Sequence, residues 1–213
     1  VASCPIERVT EVAIGIAGAG TPAIQRALSQ ALERAFEPAR VFVTSDAEAA
    51  LAGVGPQSRP GPRAIVIAGT GSIALARDAA GNTARAGGHG FLLGDEGSAA
   101  WIAREAVRAA RRAQDGRAEP TLLAERFAGR VSPTDAAGFA SLFPLVVECA
   151  DADDSAALAL FCSAASELAQ TAAAALRALE LIHTPLPLGV TGGAFSGSPV
   201  LKSKFVASLR EVA

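Results

Sequence analysis

Residues 84–110 read ARAGGHGFLLGDEGSAAWIAREAVRAA. Glycines stand at positions 87, 88, 90, 94 and 97, the acids Asp95 and Glu96 lie between the last two, and an amphipathic run follows. Ser98 is placed to cap that run, Ala100, Ile102, Ala103, Ala106 and Val107 recur on one helical face, and Gly116 supplies the stop. A glycine-dense acidic loop feeding a helix can bring backbone N–H groups and carboxylates close to a ligand, because glycine allows approaches that a side chain forbids. For Asp95 and Glu96 the competing reading is acids of the first helical turn that complement the helix dipole.

Working upstream, RAIVIAGTGSIALARDAAGNTARAGG (63–88) places apolar runs on either side of Gly69, Thr70, Gly71 and Ser72, with a turn at DAAGN, and predicts successive strands. The GTGS segment lacks the GK[ST] of a Walker loop and the third glycine of a dinucleotide fingerprint. A tight Gly-Thr-Gly turn can still offer N–H groups and a hydroxyl to phosphate oxygens, and glycine at positive φ would assist it. An ordinary hairpin turn accounts for the same residues.

Further upstream, EVAIGIAG (11–18) predicts a buried strand, PAIQRALSQALERAF (22–36) an amphipathic helix, ARVFVTSD (39–46) a second strand, and DAEAALAG the start of a short helix. Asp46 ends a strand and opens a helix. That is a position for a catalytic carboxylate in an α/β fold, or for a plain N-cap. The stretch GVGPQSRPGPR (53–63) reads as a loop between two lobes, which predicts domains at 1–60 and 61–213. Downstream, helices fit 119–129, 134–149 with a break at Pro144, and 153–182; LPLGVTGGAF (186–195) gives a short strand entering Gly192 and Gly193. A diglycine there leaves room for a flat ring such as adenine, or is simply a helix-entry turn.

The chain has 213 residues, half of them apolar, with 19 basic and 21 acidic side chains and a net charge of −2. That is enough apolar surface for a sizeable core, and there is no basic field for nucleic acid. No 18-residue window is uninterruptedly apolar, so no membrane segment is expected. Cys4, Cys149 and Cys162 form no CxxC pair and read as reduced, small buried hydrophobes in a cytoplasmic protein. The sequence opens without Met, and the expectation is that it belongs to a longer protein.

The order of these pieces resembles the N-acetylglucosamine kinase family, placed with the BadF/BadG/BcrA/BcrD-type ATPases in the sugar kinase, Hsp70 and actin superfamily. GTGS (69–72) and LGDEGSAAWIAREA (93–106) carry the resemblance; TSDAEAA (44–50) and TGGAFSGSPVLKSKF (191–205) support it by position. It implies a two-lobed, actin-like (ribonuclease H-like) α/β fold and ATP-dependent phosphorylation of an amino sugar, N-acetylglucosamine or glucosamine, with Mg²⁺. By that resemblance Asp46 is the base that deprotonates the sugar hydroxyl and also contacts the sugar. Gly88, His89, Gly90 and Asp95 hold the sugar, Gly69, Thr70, Gly71 and Ser72 contact ATP phosphates, and Gly138, Gly192 and Gly193 lie beside the nucleotide. Metal ligands are not assigned, and a homodimer is expected. His89 stands where family members commonly carry Trp. The acidic-Gly-Gly-Thr first phosphate loop expected ahead of EVAIGIAG, and a small-residue helix expected beyond Ala213, are not among these residues. Two other functions are compatible with such a fold: an iron–sulfur ATPase activator of a 2-hydroxyacyl-CoA dehydratase, and a non-catalytic sugar sensor.

Overall fold

The computed structural model describes residues 9–56, 61–130 and 133–213. The reading of Cys4 and the centre of the Gly/Pro-rich loop, 57–60, lie outside them. The chain divides into two compact units, Val1–Val54 and Gly55–Ala213.

In the first unit, β1 (Glu11–Ile16) pairs in parallel with β2 (Arg40–Ser45), linked by α1 (Pro22–Phe36). Thr21 caps α1, its hydroxyl accepting from Ile24 N, and Pro22 follows at the first turn, where a missing N–H costs nothing. Leu28, Leu32 and Phe36 of α1 pack on Ile14, Ile16, Val41 and Val43 of one sheet face. Ser29 Oγ accepts from Val43 N at 3.2 Å, which ties the helix to the strand by a polar contact as well. The buried strand expected at 11–18 is only half-buried: its residues alternate between exposed and partly covered. The reason is that α1 covers one face of a two-stranded sheet, so only every second side chain meets the core. Phe42, on the opposite face, stays 52% exposed.

The second unit is built on a four-stranded sheet of order β5-β4-β3-β6. Its strands are β3 (Arg63–Ala68), β4 (Ser72–Arg77), β5 (Thr83–Gly87) and β6 (Leu188–Thr191). β3 and β4 are antiparallel, as are β4 and β5, while β6 joins β3 in parallel. This topology has a direct consequence for function. Ala68 faces Ser72, Ile73 faces Gly87, and Ile67 faces Thr191, so β3, β5 and β6 all end at the same edge of the sheet. The three segments leaving that edge are the three glycine-bearing motifs.

Helices cover the sheet. α3 (Ala99–Gln114) buries Ala100, Ile102, Ala103, Ala106 and Val107, starts at Ser98, and ends before Gly116 in the left-handed region at φ 70°. α4 (Leu122–Arg126) is shorter than the 119–129 expected, because Thr121 caps it and Phe127 turns back into the core. The break expected near Pro144 separates α5 (Ala136–Ala140) from α6 (Phe143–Asp151), with Pro144 in the opening turn of α6.

α7 (Ser155–Arg177) is the central helix. It is long and apolar enough to cross a membrane by length and composition, yet Phe161, Ala164, Ala165, Leu168, Ala169 and Ala172 are buried in the protein core. Its N-terminus is held by Asp154, 9% exposed, whose carboxylate accepts from Ala157 N, Leu122 N and the Thr121 hydroxyl. Burial pushes the Asp154 carboxyl up, but these hydrogen bonds outweigh it and hold the group below the usual carboxylate range. One side chain thereby caps α7 and fixes the start of α4. After β6, α8 (Gly193–Gly197) and α9 (Pro199–Val212) close the unit, with Phe195 and Phe205 edge-on at 5.3 Å.

Candidate active site

The GTGS turn is a three-residue hairpin loop between β3 and β4, closed by Gly69 N donating to Gly71 O at 2.9 Å. Neither Gly69 nor Gly71 has a positive φ, so the expected reason for glycine here is corrected. The reason at Gly71 is proximity: a Cβ there would sit 2.7 Å from Asp95 Oδ2. Gly69 O accepts from Ala99 N, and Ser72 Oγ donates to Glu96 O at 2.7 Å, so the turn and the start of α3 are tied at two points. Thr70, at the tip, is exposed and its hydroxyl makes no hydrogen bond within the described residues.

The loop from Gly88 to Ser98 leaves β5 beside this turn. Gly88 and Gly90 take positive φ of 68° and 86°, and Arg85 Nη2 donates to Gly88 O at 2.6 Å. Leu93 N and Gly94 N both donate to Gly90 O, which closes a tight turn behind His89. His89 is exposed at the rim. Asp95 follows at φ 59°, a left-handed conformation that Asp tolerates better than most residues. Ser98 then caps α3, accepting from Trp101 N at 3.1 Å, and the first turn of α3 holds no acid. Asp95 and Glu96 therefore precede the cap, and the first-turn reading of both is overturned. The Asp95 carboxylate is partly exposed, lies on Gly71, and accepts no hydrogen bond from the described residues.

Gly192, at φ 109°, leaves β6 next to the turn. A Cβ on it would lie 2.3 Å from Ala68 O and 2.8 Å from Gly69 N, so the position admits glycine alone. The helix-entry reading of the diglycine holds, with Gly192 as N-cap and α8 starting at Gly193, where nothing lies within 4 Å of a Cβ position. An open N-terminal turn with uncapped N–H groups suits an anionic or hydrogen-bonding ligand chemically. Gly138 stands in the first turn of α5, its N–H donating to Asp135 Oδ1 at 2.7 Å; these are its local partners.

Asp46 belongs to the first unit, at the C-terminal end of β2, as the first residue of α2 (Asp46–Ala52). It is not the cap. Ser45 is, with Glu48 completing a capping box, a Ser-x-x-Glu signal readable in TSDAE that the sequence reading missed. Glu48 Oε2 also accepts from Thr44 Oγ1 at 2.6 Å and from Gln25 Nε2 at 3.0 Å. Burial raises the Glu48 carboxyl, but the hydrogen bonds from Thr44, Ser45 and Gln25 prevail and keep it low. With capping handled by its neighbours, Asp46 is left exposed, and among the described residues its carboxylate accepts only from Ala47 N, at 2.9 Å.

Comparison with known proteins settles the family. The BadF/BadG/BcrA/BcrD ATPase family model matches residues 5–210. The chain belongs to that family. It is 39% identical over 118 residues to the N-acetylmuramic acid/N-acetylglucosamine kinase of Clostridium acetobutylicum, a match spanning 55% of this chain and 38% of that relative's length. A candidate N-acetylglucosamine kinase of known structure from Chromobacterium violaceum superposes with a TM-score of 0.69 at 30% identity, over 93% of this chain and 69% of the other. A second one, from Porphyromonas gingivalis, superposes with a TM-score of 0.72 at 21% identity, over 97% and 71%. The fold is that of the actin-like ATPases.

A family of ATPases needs a place for phosphate, and the GTGS turn has the chemistry for one: at its tip the Thr70 hydroxyl is exposed and makes no hydrogen bond among the described residues. Among the described residues no three His, Cys, Asp or Glu cluster to hold a metal on protein ligands alone. A Mg²⁺ carried on nucleotide phosphates asks for only one or two carboxylates from the protein.

Proposed function

We propose that this protein transfers the γ-phosphoryl group of ATP to a hydroxyl of an amino sugar, N-acetylglucosamine or glucosamine. The observation that carries the reading is the juxtaposition of Asp95 and Gly71: a carboxylate without a hydrogen bond among the described residues, held in a left-handed turn against the loop suited to phosphate. A sugar ring offers hydroxyl donors that such a carboxylate accepts, and a phosphoryl transfer needs the acceptor hydroxyl and the phosphates held side by side. The names of the relatives from Clostridium acetobutylicum and Chromobacterium violaceum support the same substrate class.

In this reading Asp95 binds ring hydroxyls, together with Gly88, His89 and Gly90. Thr70, with Gly69, Gly71 and Ser72 of the same turn, contacts phosphate, and Gly192, Gly193 and Gly138 border the nucleotide. Asp46 takes the proton of the attacking hydroxyl as its oxygen bonds to the γ-phosphorus and ADP leaves. Mg²⁺, when bound, would supply charge neutralisation. A cytoplasmic location and a homodimer accompany this reading as further expectations.

Against the dehydratase-activator alternative stands Cys149, 1% exposed in the core with its thiol pushed up by burial and by the Asp154 charge, a poor starting point for a metal thiolate; Cys162, expected to be buried, is exposed instead. Against a sensor stands the exposed Asp46, which capping does not require. The test is ADP formation from ATP and Mg²⁺ with N-acetylglucosamine, glucosamine, N-acetylmuramic acid and glucose in turn. The amino sugars should raise ADP release well above the sugar-free rate; equal release with and without every sugar would refute the proposal.

A further inference from the structure

We propose that Arg104 is the positioning residue of the sugar-holding loop, an inference that rests on the function proposed above. Arg104 lies one turn into α3, its side chain about one-fifth exposed. Its Nη1 donates to Phe91 O at 2.8 Å, and its guanidinium carbon stands 5.1 Å from the centroid of the Phe91 ring. The same group therefore grips one residue twice, by edge and by face. Phe91 in turn meets Phe139 of α5 at 5.4 Å, and Phe139 is 8% exposed. The next two residues, Leu92 and Leu93, are each 84% exposed. Phe91 is thus the anchored member of an otherwise free apolar stretch, and Arg104 is what holds its backbone.

The consequence reaches both ends of the loop. Phe91 follows the Gly88–Gly90 segment directly and enters the turn in which Leu93 N and Gly94 N donate to Gly90 O. Asp95 comes immediately after that turn. Fixing the Phe91 carbonyl fixes the turn, and with it the distance between the Gly88–Gly90 segment and the Asp95 carboxylate. Lysine cannot replace arginine here, because a single ammonium cannot both stack on a ring and direct a planar N–H at the carbonyl behind it.

The experiment compares wild type with Arg104→Ala, Arg104→Lys and Glu105→Gln. The last removes the charge from the Arg104 Nε–Glu105 contact at 3.3 Å and leaves both grips on Phe91. Amide hydrogen exchange at Leu93 and Gly94 should speed up about tenfold or more in both Arg104 variants, with Leu168 of α7 unchanged and Glu105→Gln indistinguishable from wild type. In steady-state assays the sugar KM should rise about tenfold in the Arg104 variants while the ATP KM and kcat move by less than about twofold, the pattern of lost uniform sugar binding. Loop amides that stay protected in both Arg104 variants would overturn the inference whatever the kinetics show. Loop amides that open in a protein whose wild type phosphorylates no sugar would instead establish the grip and refute the proposed function. A rise in ATP KM equal to that for sugar would show general loosening and overturn the positioning role.

Discussion

Gly192→Ala is the substitution whose outcome the geometry determines most tightly. The new Cβ would fall 2.3 Å from Ala68 O, 2.4 Å from Ala68 C and 2.8 Å from Gly69 N, all backbone atoms that cannot rotate away. Relief requires β6 and β3 to separate just where Thr191 pairs with Ile67 in the parallel ladder. Overpacking of this kind costs about 1–3 kcal/mol. The backbone at φ 109°, ψ 158° is a region essentially closed to residues with a Cβ, which adds about 1–3 kcal/mol. The sum, about 2–6 kcal/mol, corresponds to a fall in Tm of at least about 4 °C for a chain of this size. Gly193→Ala is the matched control: no atom lies within 4 Å of its Cβ position, φ is not positive, and alanine in an opening helical turn should leave Tm unchanged or slightly raised. Thermal melts of both variants by circular dichroism supply the comparison. A Gly192→Ala protein melting within about 2 °C of wild type would refute the argument that glycine is there for backbone proximity.

Asp46→Asn keeps shape and local hydrogen bonding, and Ser45 and Glu48 still cap α2, so Tm and sugar affinity should hold while sugar-dependent ADP release falls about 10²-fold or more; normal turnover would remove Asp46 as base. Asp154→Ala deletes the cap of α7 and the acceptor for Thr121 and Leu122, which should cost about 2–4 kcal/mol by urea denaturation, and a cost under about 0.5 kcal/mol would contradict the shared-cap reading. Because the Asp154 and Glu48 carboxyls are both depressed in the folded state, their stabilisation is complete above the ordinary carboxylate range and is lost as pH falls through their folded values. Wild type should therefore lose stability on acidification from about pH 5 downward, and Asp154→Ala should lose less over that window. Purified protein should be colourless after anaerobic iron–sulfur reconstitution and should keep its ATPase with Cys149→Ala and Cys162→Ala combined; a brown, thiol-dependent ATPase would favour the dehydratase activator.

Some of these features are legible in the chain before any coordinates. Ser98 and Gly116 bound α3 because capping is local chemistry, and the GTGS hairpin follows from two apolar runs around a short turn. The left-handed Asp95 is not legible, since nothing in its neighbours' identity demands φ 59°; Gly71 beneath it and the Gly69–Ala99 hydrogen bond make that geometry. The half-burial of β1 likewise depends on how many layers cover it, which an apolar run does not encode. The Arg104–Phe91 grip spans 13 residues and joins a loop to a helix, so it emerges only when the loop comes back against α3. By contrast, the Ser45–Glu48 capping box was there to be read and decides what Asp46 is free to do.

The central claim, that the loop at the sheet edge holds an amino sugar through Asp95, is tested most directly by calorimetric titration of N-acetylglucosamine, glucosamine and glucose into wild type, Asp95→Ala and Asp95→Asn. The Asp95 carboxylate has no hydrogen-bond partner to lose among the described residues, and asparagine tolerates the same left-handed backbone, so Asp95→Asn should melt with wild type. Loss of a charged acceptor from a sugar hydroxyl costs about 1.5–3 kcal/mol, which lowers affinity at least about tenfold. The account predicts amino-sugar binding by wild type and that drop in Asp95→Ala at preserved fold; amino-sugar affinity undiminished in Asp95→Ala, or no sugar bound by wild type, would contradict it.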